Sequence, residues 1–273
     1  MIRTLKDLEE ARKTNPASVD KHLEEVTIKE DIEDYFQWLH DNEVTTVIKY
    51  KLHRYQKRAP GIHPSAASKV GVCLLRIYYD CTFEIEPMNS FEFKTQLTWD
   101  IGTALHDMFQ THLKNMYQDQ FQAEVPLSDA ALNVKSHTDG IFTFSQVRFI
   151  LEAKSIKEGK EKASYGWDAV IHKPMEEHVR QLHFYMYLSD VPFGLVFYIG
   201  KNNSDLLEHP IAFDPNIWKD IQDKTVLPVL DSLKKGEAPV ASPSWNCKWC
   251  PYYYACPRGY KKESNRGWLE WSE

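Results

Sequence analysis

The spacing of apolar positions changes several times along the chain, and each change marks a boundary. Residues 1–60 are charged and poor in glycine, and DLEEARK and EDIEDYFQWLHD carry apolar side chains at helical spacing. Pro60, Gly61 and Pro64 break that pattern, which predicts a helical N-terminal extension over 1–60, open to reading as an accessory lobe. In WDIGTALHDMFQTHLKNMY, 99–117, the residues Ile101, Leu105, Met108, Phe109 and Leu113 fall on one helical face. The period then drops to two. QAEVPL at 122–127 reads as a short strand, and VKSHTDGIFTF at 134–144 and RFILEAKSI at 148–156 read as two strands joined by a turn around Ser145 and Gln146. MEEHVRQLHFYMYLSDV at 175–191 returns to helical spacing. Strands at 194–201 and 206–213 and a helix near 215–235 follow.

This order predicts an α/β fold with a mixed central β-sheet flanked by helices. A chain of 273 residues, 42% hydrophobic and 13% aromatic, can bury one sizeable core, or one core and a smaller lobe. No apolar run approaches the ~18 residues of a membrane span, and MIRTLKDLEEARK lacks a signal-peptide apolar region, so a cytoplasmic protein with no membrane partner is expected. There is no GxxxxGK[ST] motif, which excludes a P-loop ATP motor.

The formal charge of −6 changes meaning once it is located. Residues 1–43 hold twelve acidic and six basic side chains, which is the whole excess, and the remainder is balanced at 27 of each. The acidic region is a candidate docking surface for a protein partner, with plain solubility as the equal alternative. Basic clusters at Lys51, Arg54, Lys57 and Arg58, and at Arg258, Lys261, Lys262 and Arg266, are candidates for phosphate contact or ordinary solvated surface.

The chemistry concentrates in HTDGIFTFSQVRFILEAKS. Glu152 and Lys154 are two apart on one strand and therefore share a face. Pairing that strand with its predecessor can bring Asp139 beside them. Two converging carboxylates are hard oxygen ligands suited to Mg²⁺ or Mn²⁺, and a neighbouring ammonium could orient or help deprotonate a water aimed at phosphorus. The bland alternative is the polar face of an ordinary alternating strand. His106, on the preceding helix, is either a third metal ligand or a satisfied helix histidine. Gln181 and Tyr185, four apart, share one face of the later helix and by themselves suit packing.

Taken in order, Gly102-x-x-x-His106, Asp139, Glu152-x-Lys154 and Gln181-x-x-x-Tyr185 resemble the motifs of the PD-(D/E)XK nucleases, specifically the RecB-like branch. The resemblance spans about residues 64–257. Ser136 stands where that family usually has the glycine of its GxxD motif. The resemblance implies a restriction-endonuclease-like core. It implies metal ligation by His106, Asp139, Glu152 and the backbone carbonyl of Ala153, action of Lys154 on the nucleophilic water, and positioning roles for Gln181 and Tyr185. Glu124 is a further acid near the expected site.

Three cysteines crowd into NCKWCPYYYACPRG, with the spacing C-x₂-C-x₅-C at Cys247, Cys250 and Cys256. That is one thiolate short of a closed site, and by themselves the three support zinc or an iron–sulfur cluster. The segment PSAASKVGVCLLRIYYD, 64–80, is similar to the one carrying a lone upstream cysteine in iron–sulfur members of the same branch, among them CRISPR-adaptation and phage exonucleases. The resemblance thus implies a [4Fe–4S] cluster on Cys73, Cys247, Cys250 and Cys256, with Zn²⁺ as the alternative and Cys81 as the residue left over.

The expectation is a metal-dependent DNA exonuclease acting on single-stranded DNA or DNA ends in (phage) replication, recombination or repair, in the bacterial host cytoplasm if phage-encoded. Its parts are the extension 1–60, a nuclease core 61–245 and a cluster-binding segment 246–273. Trp245, Trp249, Tyr252, Tyr253, Tyr254, Trp268 and Trp271 flank the cysteines and are candidates for base stacking. The alternatives are a CRISPR-adaptation nuclease trimming DNA in an integrase assembly, and a catalytically inactive iron–sulfur or zinc DNA-binding module.

Overall fold

The structure is a computed structural model that describes residues 2–24, 28–48, 58–88, 93–144, 147–158, 166–244, 247, 250–258, 261–262 and 269–270. Ser145, Gln146, Lys51, Arg54, Lys57, Arg266, Trp245, Trp249, Trp268 and Trp271 lie outside the described residues.

Three helices open the chain: α1 (Leu5–Thr14), α2 (Pro16–Glu24) and α3 (Lys29–Asp41). Thr4 and Asp7 cap α1 reciprocally, each side chain accepting from the other's main-chain N–H. Then come α4 (Pro64–Ala67), α5 (Leu74–Thr82) and the long α6 (Phe93–Tyr117). Strands β1 (Phe121–Asp129), β2 (Val134–Phe144) and β3 (Val147–Ile156) follow. A short α7 (Trp167–Val170) and α8 (Glu176–Ser189) lead to β4 (Phe193–Gly200) and β5 (Leu206–Ala212). The chain continues through α9 (Pro215–Ile221), a π-turn at Gln222–Val226 and α10 (Leu227–Lys235), and the two-residue strands β6 (Lys261–Lys262) and β7 (Leu269–Glu270) form a separate pair.

The main sheet is mixed, in the order β1-β2-β3-β4-β5, parallel only between β3 and β4. This is the expected α/β architecture of a mixed sheet flanked by helices. β4 reads FGLVFYIG and is buried throughout, as a strand covered on both faces requires. Leu182 of α8 lies over Gly194, and His178 of α8 meets Tyr198. Hence α8 covers the face that carries residues 152, 154, 194 and 198. On the opposite face Phe109 of α6 stacks on Phe197 with ring centroids 4.8 Å apart, and Gly102 approaches Ser155.

The N-terminal helices share the core of the sheet instead of standing apart from it, with α2 and α3 on the α6 side and the start of α1 bonded to Asp190 at the end of α8. Leu8, Val19, Ile28 and Ile32 are buried in the cluster that contains Phe149 and Phe193, and His22 stacks on Phe193. The Glu208 carboxylate of β5 accepts from the Ile28 and Lys29 amides at the start of α3. The predicted helix 215–235 is interrupted by the π-turn. Pro228 has no N–H to donate and its ring crowds the preceding turn, and the wider turn accommodates both. Among the described residues no helix is long and apolar enough to cross a membrane.

Candidate active site and cysteine cavity

The candidate active site lies where β2 leaves β3. The two strands pair from Phe144↔Val147 back to Gly140↔Leu151, and there the ladder ends. One more step of the same register sets Asp139 opposite Glu152. Below that point β2 stays with β1 while β3 continues with β4, which opens a fork. Two side chains replace the ladder bonds at its vertex. The Asp139 Oδ2 accepts from the Ala153 N–H at 2.7 Å, and the buried Thr138 hydroxyl donates to the Leu151 carbonyl at 3.2 Å. A strand residue presents its N–H and C=O to the same edge, so the Ala153 carbonyl is turned toward the fork as well.

Glu152 is fully buried on the α8 side. Its Oε1 touches the Lys154 ammonium and has no other partner among the described residues, while Oε2 accepts from Gln181 Nε2 at 3.2 Å. Burial, and then the charge of Asp139, push the Glu152 carboxyl up to about 8 against the opposing pull of Lys154. Burial acts to lower Lys154, but the Glu152 and Asp139 carboxylates outweigh it and hold the ammonium protonated. Gln181 uses its second amide proton on the Tyr185 hydroxyl at 3.0 Å. Burial, followed by the two carboxylates, raises Tyr185, and a hydrogen bond from Ser136 opposes the rise. Ser136 therefore lies beside the same network.

His106 sits on α6, on the other side of the sheet. Gly102, His106 and Gln110 are successive residues of one helical stripe. Gly102 lies by Ser155, and Gln110 donates to the Asp139 carbonyl at 3.0 Å, so His106 faces the fork between them. Among the described residues no group of three or more His, Cys, Asp and Glu stands in position to hold a metal ion. The structure thus brings Asp139, Glu152, Lys154, Gln181 and Tyr185 into one network and sets His106 across the fork from it.

His178 and Gln110 escape the sequence patterns, and Glu124, expected near the site, reaches it in an unexpected way. His178, one turn before Gln181 on α8, bonds to the Tyr198 hydroxyl at 2.8 Å, and Tyr198 is the register partner of Lys154. Burial, then Lys154 and Lys69, drive His178 down to about 3, which leaves a neutral ring beside the lysine. Glu124 is opposite Asp139 in the β1–β2 register but drops out of the ladder with φ 52°. A non-glycine residue in that left-handed region costs about 1–2 kcal/mol. Gln110 donates to Glu124 Oε1 at 2.7 Å as well as to Asp139.

The cysteine region forms a second centre. Leu75, Tyr78 and Tyr79 of α5 pack with Ala241 and Tyr252 in a small core against which Cys73, Cys250 and Cys256 lie. Tyr252 donates to Asp80 at 2.6 Å and ties the C-terminal segment to α5. Cys73, Cys247, Cys250 and Cys256 all line one cavity of about 50 Å³. Cys81 is instead packed against the main core, where burial and then Asp80 raise its thiol to about 12. Two main-chain amides point at cavity sulfurs, Ser242 N at Cys73 and Ser244 N at Cys247, each at 3.3 Å. Arg76 also lines the cavity, and its buried Nε has no partner among the described residues. Burial, then the neighbouring Cys247 and Cys73, raise Cys250, while the Tyr252 amide and Arg76 oppose this. Four sulfurs, inward amides and a guanidinium whose Nε has no partner among the described residues suit an anionic thiolate-held group.

Neither the family models nor the curated proteins give a match. Solved structures similar in fold include the crystal structure of SSO0001, at 15% identity and TM-score 0.47, covering 85% of this chain and 97% of that one. They also include an alkaline exonuclease, LHK-Exo, from Laribacter hongkongensis, at 11% identity and TM-score 0.46, covering 64% and 89%. The same exonuclease in complex with dAMP matches at 12% identity and TM-score 0.47, with the same coverage.

Proposed function

We propose that the chain is a divalent-metal-dependent deoxyribonuclease of the RecB-like PD-(D/E)XK type, acting as an exonuclease on single-stranded DNA or DNA ends. The observation that carries this reading is the fork, where Asp139 and Glu152 fall opposite each other with Lys154 in contact with Glu152. The residues suit a hard cation. A fully buried carboxylate raised to about 8, with one oxygen served only by an ammonium among the described residues, gains most from a second positive charge.

Asp139, Glu152, His106 and the Ala153 carbonyl would hold Mg²⁺ or Mn²⁺. When bound, the ion supplies Lewis-acid stabilisation of charge on the phosphate. The protein's own residues do the rest. Asp139 is held at the vertex by the Ala153 N–H, and Gln181 fixes the Glu152 carboxylate against rotation. Lys154, in contact with Glu152 and with its ammonium favoured by the neighbouring acids, is placed to orient the attacking water as a donor. Tyr185 accepts from Gln181, which leaves its own proton for another acceptor, such as a DNA phosphate.

The reading includes a [4Fe–4S] cluster on Cys73, Cys247, Cys250 and Cys256, supported by their shared cavity and by Arg76. When bound, it would supply a cross-link between α5 and the C-terminal segment. The cellular setting is the cytoplasm, that of a bacterial host if the gene is phage-borne, in replication, recombination or repair.

Digestion of end-labelled single- and double-stranded DNA with Mg²⁺ or Mn²⁺ tests the reading. Release of mononucleotides or short products, abolished by EDTA and by Lys154→Ala, is expected. Full activity in EDTA refutes metal dependence, and intact DNA under every condition refutes the nuclease.

A further inference from the structure

The most unusual local arrangement beside the fork centres on Gln110, which none of the motifs contains. It lies on α6 one turn beyond His106 and is only 5% exposed. Its Nε2 donates to the Glu124 carboxylate at 2.7 Å and to the Asp139 carbonyl at 3.0 Å, using both amide protons.

The reason these acceptors are available lies in β1. Ala123 pairs with Gly140 and Val125 with Thr138, but Glu124, which should pair with Asp139, adopts φ 52° and leaves the ladder. Regular alternation would put the Glu124 side chain on the α8 face with Asp139. The left-handed backbone instead delivers it to Gln110 on the α6 face. Asp139 is therefore released by β1 on one side and by β3 on the other. Its main chain is held by Gln110, and its carboxylate by the Ala153 N–H.

We infer that Gln110 is a positioning residue for the candidate metal site: with Glu124 it fixes the main chain of Asp139 at the fork and so sets the direction of the Asp139 carboxylate. This rests on the reading of the fork as a metal-dependent nuclease site. The neighbouring His106 stands on the same helical stripe, so one element orients an acid and presents an imidazole to the fork. Gln110 itself touches neither metal nor DNA.

The test substitutes Gln110→Met, which keeps length and apolar bulk but removes both donors, and Glu124→Gly, which accepts the left-handed backbone without strain but deletes the carboxylate. Mn²⁺ binding is followed by the loss of the free-ion electron paramagnetic resonance signal, in parallel with DNA cleavage. The expected result is a Mn²⁺ midpoint raised about tenfold or more in Gln110→Met, the scale on which groups that orient ligands act. KM for DNA should stay within about twofold, and kcat should recover at saturating Mn²⁺. Glu124→Gly should shift the midpoint in the same direction. A Gln110→Met protein that melts lower yet binds Mn²⁺ with the parent's midpoint shows a purely structural residue and overturns the inference. If the parent binds Mn²⁺ but leaves DNA intact, the nuclease reading fails while the Gln110 inference is decided by the midpoints. A parent that binds no Mn²⁺ overturns both.

Discussion

The Asp139 carboxylate accepts a hydrogen bond from the Ala153 main-chain N–H at 2.7 Å, at the point where the β2–β3 ladder stops. The acid proposed as a metal ligand thus doubles as the structural substitute for a strand partner. The two duties separate under substitution. Asp139→Asn keeps an oxygen able to accept from Ala153, so stability to urea should change by no more than about 1 kcal/mol. Losing a charged ligand removes several kcal/mol of electrostatic stabilisation, so metal-dependent cleavage should fall by at least about a hundredfold. Asp139→Ala leaves the Ala153 N–H without its acceptor and should cost about 1–3 kcal/mol of stability in addition. Parent-like cleavage by Asp139→Asn would remove Asp139 from the mechanism.

The Glu152 carboxyl gives the metal-free protein a characteristic pH dependence. Its value rises from the usual 4.5 to about 8 on folding, because burial disfavours the ionised form. The native state therefore binds more protons than the unfolded state between those values. Stability contributed by the protonated acid is complete below about 4.5 and is lost as the pH rises through about 8. Melting in EDTA should decline across that window more steeply for the parent than for Glu152→Gln, which has no such group. Mn²⁺ should flatten the parent's decline by favouring the carboxylate. Parallel melting curves for the two proteins in EDTA would contradict the assignment.

Much of this was legible in the sequence. Alternation located β2 at its observed bounds and β3 to within one residue, because the sequence signals for both strands are strong on either side. The i, i+2 and i, i+4 rules put Glu152 with Lys154 and Gln181 with Tyr185. What the patterns missed depends on tertiary context. Glu124 looks like a member of an alternating strand, and only its φ of 52° shows that its side chain has changed faces. Gln110 and His178 occupy the motif-bearing stripes of α6 and α8, four residues after His106 and three before Gln181, so helical spacing alone could have drawn attention to them. The N-terminal helices read as a charged extension, open to being an accessory lobe, because their apolar contribution is carried by a few residues such as Leu8 and Ile32. The π-turn required knowing how Pro228 would be accommodated.

Two glycines near the site should respond oppositely to alanine. A Cβ on Gly102 would meet Ser155 Oγ at 3.8 Å, an ordinary contact, on a helix where alanine is preferred. Gly102→Ala should raise stability by about 0.5–1 kcal/mol. A Cβ on Gly140 would come within 2.3 Å of the Phe121 ring, itself packed on Phe142. Gly140→Ala should cost about 1–3 kcal/mol through overpacking and should displace the adjacent Asp139. Urea unfolding of both variants checks the pair, and the same sign for both would show that the close approach at Gly140 is readily relieved.

The two upstream cysteines offer the sharpest test of the second centre. Cys73 stands at the start of α5 on the cavity shared with Cys247, Cys250 and Cys256, whereas Cys81 is packed against the main core with its thiol raised to about 12. Protein purified without oxygen should be brown and contain iron and sulfide. Cys73→Ala and Cys250→Ala should bleach it and lower its melting temperature, since each removes one of four ligands from a link between α5 and the C-terminal segment. Cys81→Ala should keep the colour, because a protonated thiol held in an apolar setting is a poor ligand. Colourless protein carrying stoichiometric zinc would replace the cluster with a tetrahedral ion, and bleaching by Cys81→Ala but not by Cys73→Ala would move the fourth ligand to the other residue.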